Sequence, residues 1–468
     1  MEVKISKKDI AWSYIANFFN LGANLLVLPV ILNRLSATEI GMNYIMLSVG
    51  ALVSIVDMGF SELCGRTLTY VLSGSKHILK KGVDVGERSN VDFYLLRCVI
   101  ETAKFIYRRI SLFTLIALLT LGTAYMYKIT HGFSNVQNSL LIWILYSVSC
   151  SLNLYFIYYG ALLRGTGKIQ EMQKAIMYNK IVYIIICFIL LFCGLGLLSV
   201  VIANLVSPFV GRYYSYKKFY TKYILENTAN IVVKKNDIHE IFSALWQNAK
   251  LFGLTMVGSY ACSEAGVFIS GLFLPMEKVA SYGLMVQLYG VVRTNAETFF
   301  HSNSPYFCSM WAKNNNDLII RRMSLSIMIL ICIYVIGGGG LTLFGAWALE
   351  LIHSNTALPC MSLMLFYLLE GLLHSNHSIF ATLIVTKNEV PFVKSSLVAG
   401  AFIILLNIIF LKYFNLGIWS LVLSPFLVDS CYNHWRWPMW VLTDLKITPF
   451  LMLRIGYKEL VLKIKNIK

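Results

Sequence analysis

Apolar runs of about twenty residues recur along this chain, the length a helix needs to cross a lipid bilayer. They begin near Ile10, Ile40, Ile110, Gln137, Met172, Gly194, Leu251, Ala280, Met323, Pro359, Pro391 and Asn415. The expected fold is an all-α membrane protein with about twelve transmembrane helices. The low charge agrees: 57% of the 468 residues are hydrophobic and only 13% are charged, against about 25% charged in a soluble domain. A soluble protein would still have to present a wetted exterior.

The basic residues test the orientation. With the N-terminus inside and the spans alternating, 35 of the 40 Lys and Arg fall in inside segments. Four (Arg34, Lys128, Lys278, Lys412) fall in outside turns, and Arg293 lies within a span. This bias places both termini in the cytoplasm. It also accounts for the formal charge of +17 without a nucleic-acid partner, because the basic residues are spread over seven segments. The first run continues to about Leu32 with no small-residue cleavage site, so a retained span is expected there. Ten scattered Cys, none in a CxxC pair, predict neither a disulfide framework nor a cysteine zinc site.

Two inside segments are long. The one from Cys64 to Arg109 holds YLLRCVIETAKFIYRR, whose periodicity predicts an amphipathic interfacial helix. The other falls between the sixth and seventh spans. The expected layout is a six-helix bundle over 1–216, a cytoplasmic linker over 217–249, a second six-helix bundle over 250–441 and a basic cytoplasmic tail over 442–468. Internal similarity supports two like-oriented halves. LSATEIGMNYIML from Leu35 lies over LPMEKVASYGLMV at a shift of 239, and GLLSVVIANLVSPF from Gly196 lies over GIWSLVLSPFLVDS at 221. Parallel repeats of this kind are a common transporter architecture.

Polar groups inside a membrane are costly and tend to face a protein interior or a wet cavity. Asn17, Asn20 and Asn24 share one stripe of the first span, as Thr255, Ser259 and Ser263 do on the seventh. Either stripe serves helix–helix hydrogen bonding or lines a cavity. Arg293, Glu297 and His301 lie four apart on the eighth span. Arg293 is a candidate ligand for a diphosphate, through its planar fork, or a structural partner of Glu297. Asp57, Glu264, Glu297 and Glu370 are candidate ion-coupling carboxylates. Glu370, His374 and His377 share a face of the tenth span and read as a proton relay, with too few ligands for a metal site to be expected. The twelfth span carries Asp429, Asn433 and Arg436, and Asp429 is a further candidate for proton coupling. Glu62 and Arg66 have the spacing of a local ion pair. RGTGK at Arg164 fails the phosphate-loop pattern, with Leu162 at the first Gly position and Ile169 after the Lys, so no ATPase and no cofactor is expected.

The run from Pro29 to Gly74 resembles the opening of the O-antigen and related polysaccharide flippases of the multidrug/oligosaccharidyl-lipid/polysaccharide exporter superfamily. The residues that carry the likeness are Pro29, the turn from Leu35 to Gly41, Asp57-Met58-Gly59-Phe60 and Arg66. The resemblance implies a bacterial inner-membrane protein with a V-shaped pair of bundles and alternating access. It implies no enzyme activity. The implied substrate is an undecaprenyl-diphosphate-linked oligosaccharide moved to the periplasmic leaflet, with membrane lipids and other polysaccharide-assembly proteins as partners. Such flippases present several Arg to the cavity, whereas the sequence offers one, Arg293. Two other readings stay open. A cation-exporting antiporter of the same superfamily would use the acidic residues. A membrane enzyme of polysaccharide assembly would need a large outside loop or a paired-carboxylate loop.

Overall fold

A bilayer offers no partner for an open N–H or C=O, so a crossing segment satisfies its own backbone as helix. The computed structural model describes residues 26–78, 91–303, 306–307, 310–311, 315–387 and 391–465, which contain helix and no strand. The chain divides into two units, Met1–Val257 and Gly258–Lys468.

In the first unit, residues 26–34 are helical. Next come α1 (Ala37–Ile55) and α2 (Phe60–Leu72). They are followed by α3 (Phe93–Ile129), α4 (Ser139–Gly165), α5 (Ile169–Phe192) and α6 (Leu197–Phe219). The short α7 (Lys222–Thr228) precedes α8 (Lys235–Ser263), which carries the chain into the second unit. There follow α9 (Ala265–Phe273), α10 (Met276–Ser302), α11 (Asn316–Leu351), α12 (Met361–Val385) and α13 (Val393–Lys412). The chain ends in α14 (Ile418–Cys431), α15 (Asn433–Asp444) and α16 (Pro449–Lys465). Among the described residues α1, α3, α4, α5, α6, α11 and α13 are long and apolar enough to cross a membrane. The bent pair Phe252–Ser263 and Ala265–Phe273 makes an eighth such segment.

Several features recur at the intervals seen in the sequence. Helices α1 and α10 start 239 residues apart, at Ala37 and Met276. Helices α6 and α14 start 221 apart, after Gly196 (φ 54°, ψ −138°) and Gly417 (φ 59°, ψ −134°). Both α3 and α11 contain one π turn, at Leu118–Gly122 and Tyr334–Gly338. Side-chain-bearing residues avoid the backbone of Gly196 and Gly417.

Glu39 secures two helix starts. Its Oε2 accepts from the Ser36 N–H at 2.9 Å while Ser36 Oγ accepts from the Glu39 N–H, a capping box on α1. Its Oε1 accepts from the Leu197 N–H at 3.0 Å, at the start of α6. A Cβ on Gly196 would run into that same oxygen.

The core of the first unit packs α2, α3, the end of α4 and the start of α8 around Phe60, Tyr107, Leu162 and Leu245. Helices α2 and α4 meet backbone to backbone. A Cβ on Gly165 would lie 2.6 Å from Gly65 O, and Thr69 Oγ1 donates to Gly165 O at 3.0 Å. The glycine of RGTGK is therefore a packing device.

Two local expectations are corrected. Tyr94–Arg109 is no separate interfacial helix; it runs unbroken into the third span as part of α3. Its apolar face meets protein, since Leu96, Val99, Ile100 and Ala103 are buried in the core. Glu62 pairs across to Arg164, and the expected Glu62–Arg66 pair is not made. The segment 217–249 is largely helical, and Ile241 and Leu245 are buried in the core. In the second unit α16 lies on α11, with Gly456 against Ser324 O.

Glu39→Ala removes both caps. We expect a loss of about 1–2 kcal/mol, read as a lower Tm of the detergent-solubilised protein. The exposed Glu226→Ala serves as control and leaves Tm unchanged. An unmoved Tm in Glu39→Ala would contradict the double-capping assignment.

Candidate functional site

The second unit encloses a cavity of about 300 Å³ with walls from α8, α9, α10, the π turn of α11, α12, α13 and α14. Its chemistry comes from Ser263, Glu264, Arg293, Glu370, His374 and Asn407, among tyrosines 282, 289, 334 and 367. Elements widely separated in sequence are joined here by breaks in the helices. Helix α8 stops at Ser263, Glu264 takes φ −111° and ψ −24°, and α9 leaves at 52°. The bend presents Glu264 at the wall.

Two hydroxyls on α8 and α9 are satisfied locally. Ser263 Oγ donates to Ser259 O at 2.9 Å, and Ser270 Oγ donates to Val267 O at 2.7 Å. Ser263 can therefore offer only a lone pair to a ligand. Arg293 Nε donates to Glu297 Oε1 at 3.2 Å, and His301 Nε2 approaches Glu297 Oε2 at 3.7 Å. Glu297 is thus committed to neighbours one turn away on each side, while Arg293 reaches the cavity. Tyr334 and Ser375 share a hydrogen bond of 2.7 Å behind them. Glu370 is 7% exposed and Asn407 1%, and Asn407 Oδ1 has no hydrogen-bond partner among the described residues.

Of the residues singled out in the sequence, Ser263, Glu264, Arg293 and Glu370 meet at this cavity, with Glu297 directly behind Arg293. Asp57 belongs to the first unit and is not part of it. There, Met58 (φ 48°) and Gly59 (φ 73°) break the chain between α1 and α2. Asp57 receives the Tyr107 hydroxyl on Oδ1 and the Ser61 N–H on Oδ2 at 3.5 Å. The Asp57-Met58-Gly59-Phe60 motif is thus a helix break with its own acceptor. Asn17, Asn20 and Asn24 lie outside the described residues.

Two residues escaped the sequence reading. Arg212, counted there among inside basic residues, lies within α6. It donates to Asn153 Oδ1 at 2.6 Å and stacks 4.3 Å from the Phe156 ring centroid. Tyr159 and Phe209 flank the same ring. The signal was available: Arg212 lies eighteen residues after Gly194, where the apolar run begins, short of the roughly twenty residues a span usually takes. The other is His434, which comes from the far end of the chain with Asp429 to His374, His377 and Glu370, and these residues form two overlapping groups with metal-ligand spacing.

No family model matches this chain, and no curated protein matches its sequence. Solved structures do match its fold. A multidrug resistance MATE family transporter of the MOP superfamily, in an inward-facing conformation, aligns with TM-score 0.64 and 12% identity, over 95% of this chain and 99% of that one. The lipid II flippase MurJ, in an inward closed conformation, aligns with TM-score 0.60 and 14% identity, over 97% and 91%. The eukaryotic MATE transporter AtDTX14 aligns with TM-score 0.51 and 14% identity, over 97% and 99%. The fold is that of MOP-superfamily transporters. The chain is a multi-pass membrane protein with that MATE-like fold.

The Arg293–Glu297 pair invites a double-mutant cycle. Glu297→Gln alone leaves a partly buried guanidinium uncompensated, and we expect a loss of about 1–2 kcal/mol, below the value for a fully buried pair. Arg293→Met combined with Glu297→Gln recovers most of that loss, measured as Tm in detergent. Strictly additive effects would show that the two side chains are not coupled.

Proposed function

We propose that this protein is a flippase that moves an undecaprenyl-diphosphate-linked oligosaccharide, an O-antigen or similar repeat unit, from the cytoplasmic to the periplasmic leaflet. In this reading it resides in the bacterial inner membrane with both termini in the cytoplasm. About twelve spans form two six-helix halves related by a parallel repeat, which alternate access. The paired helix starts at 239 and 221 residues and the matching π turns support the repeat. The partners are the lipid-linked substrate, membrane lipids and other polysaccharide-assembly proteins.

The observation that carries the reading is the mixed-charge cavity, in a fold that aligns with a lipid II flippase over 97% of this chain. A volume of about 300 Å³ is too small for an oligosaccharide on a prenyl diphosphate. It admits a hydrated ion or the charged head alone, with the sugars outside it. We assign Glu264 and Glu370 to the coupling cation and Arg293 to the anionic head of the substrate, with Ser263 beside it. Arg212 on its aromatic shelf in the first unit is a further cationic candidate for that head, and the rings beside it suit sugars. Asn17, Asn20 and Asn24 remain candidate sugar contacts, and Asp57 and Glu297 remain candidates in coupling.

One observation favours a second reading, an antiporter exporting organic cations. Two carboxylates against one guanidinium leave the cavity net acidic, and a multidrug resistance transporter shares the fold. Complementation separates them. Expressed in a strain lacking its own flippase and carrying the matching sugar pathway, the protein restores surface polysaccharide. Arg293→Ala and Glu370→Gln each reduce it at least tenfold at equal membrane abundance. No restoration, joined with resistance to cationic dyes, would replace the flippase reading by the antiporter. Normal polysaccharide in Arg293→Ala would remove Arg293 from the site.

A further inference from the structure

Beside the cavity, the break between α14 and α15 gathers imidazoles and a carboxylate against α12. We propose that His374, His377, Asp429 and His434 form a binding site for a transition-metal dication, best matched by Zn²⁺. The proposal is independent of the transported substrate.

His374 and His377 lie three residues apart, on one face of α12. Tyr432, at φ −147° and ψ −58°, ends α14 and starts α15, with Asp429 before the break and His434 after it. The ligating atoms of His374, His377 and Asp429 all lie within 4.8 Å of one another, as do those of Glu370, Asp429 and His434. Ring centroids are 4.7 Å apart for His374–His377 and 5.3 Å for His377–His434. Asp429 is common to both groups, and bonds of about 2.0–2.1 Å to a tetrahedral Zn²⁺ require the two to draw together around it.

The hydrogen bonds around the cluster point the same way. Nδ1 of His377 and Nε2 of His434 are buried with no hydrogen-bond partner among the described residues. Buried polar atoms are rarely left so. Two of the ligands have their other atom held. Ser430 Oγ meets His434 Nδ1 at 3.3 Å, so the opposite nitrogen is the free one. Asn433 Nδ2 donates to Asp429 Oδ1 at 2.8 Å, and Trp437 Nε1 donates to Asn433 Oδ1 at 3.2 Å. Asp429 Oδ2 is left facing His374 Nδ1 at 3.7 Å. Side chains that fix one atom of a ligand and leave the other presented, as here for His434 and Asp429, are the usual outer shell of a metal site.

Ligand type selects the ion. Three imidazoles with a carboxylate suit Zn²⁺ and its neighbours in the first transition row, whereas Mg²⁺ and Ca²⁺ take oxygen ligands. His374 and Glu370 also line the cavity, which gives an ion a route to the cluster. A bound ion would tie α12 to both sides of the α14–α15 break.

The test uses the full chain, purified in detergent on a histidine-free tag and stripped with chelator. Titration with Zn²⁺ against a competing dye should give one site per chain. His377→Gln and His434→Gln should each weaken it at least tenfold. His131→Gln and His353→Gln, outside the cluster, should not. Co²⁺ should give the visible absorption of a four-coordinate site. Should the variants fail to accumulate, X-ray absorption on the wild-type zinc protein decides, and imidazole scattering from at least two histidines is expected. No binding above the detergent background, equal affinity in His377→Gln and His434→Gln, or an oxygen-only absorption spectrum would each overturn the site.

Discussion

Within lipid every backbone N–H and C=O must find its partner inside the chain, and the rest of this structure follows from that demand. An unbroken helix meets it automatically. A broken one leaves open groups that cost about 1–3 kcal/mol each when buried without a partner. Three of the chain's breaks carry a carboxylate. Asp57 stands where α1 gives way to α2, Glu264 where α8 gives way to α9, and Asp429 just before α14 gives way to α15. Asp57 visibly takes up a freed N–H, that of Ser61. At Asp57, charge that is costly at mid-bilayer sits where the backbone itself asks for an acceptor.

The same economy explains how function and fold share residues. A kink is the cheapest way to turn a side chain from a helix flank into a cavity. Glu264 reaches the cavity wall because α9 departs at 52° from α8. Asp429 and His434 meet α12 because Tyr432 interrupts the helix between α14 and α15. A straight helix would have spread these groups along one face, 5.4 Å per turn. Proline is placed in accord. Pro425 and Pro438 lie in α14 and α15, on either side of that interruption, where the ladder is already weakened.

Much of the architecture was legible because its signals are local. Apolar runs marked the eight segments that are long and apolar enough to cross a membrane among the described residues, and the spacing of Arg293 and Glu297 marked a pair on α10. What stayed hidden was pairing at long range. Nothing local to Glu62 tells Arg164 from Arg66, and only packing of α2 on α4 through Gly65 and Gly165 decides it. Amphipathicity misled at Tyr94–Arg109, because an apolar stripe does not say whether lipid or protein will cover it. Arg212 was hidden by its neighbours, since tyrosines and lysines beyond it resemble the edge of a membrane.

The histidines show the limit most clearly. On α12 alone, Glu370, His374 and His377 amount to too few ligands, and the sequence contains no spacing that adds Asp429 and His434 to them. The fold supplies that step by bringing a broken helix from fifty-odd residues downstream against α12. Two imidazole nitrogens are then buried without partners while their neighbours are tied down. In a bilayer an unpaired donor or acceptor cannot borrow a hydrogen bond from bulk water. Such a pair of open nitrogens therefore calls for an occupant, and the ligands around them, two further atoms of His374 and Asp429, fit a dication better than a water held by a single hydrogen bond.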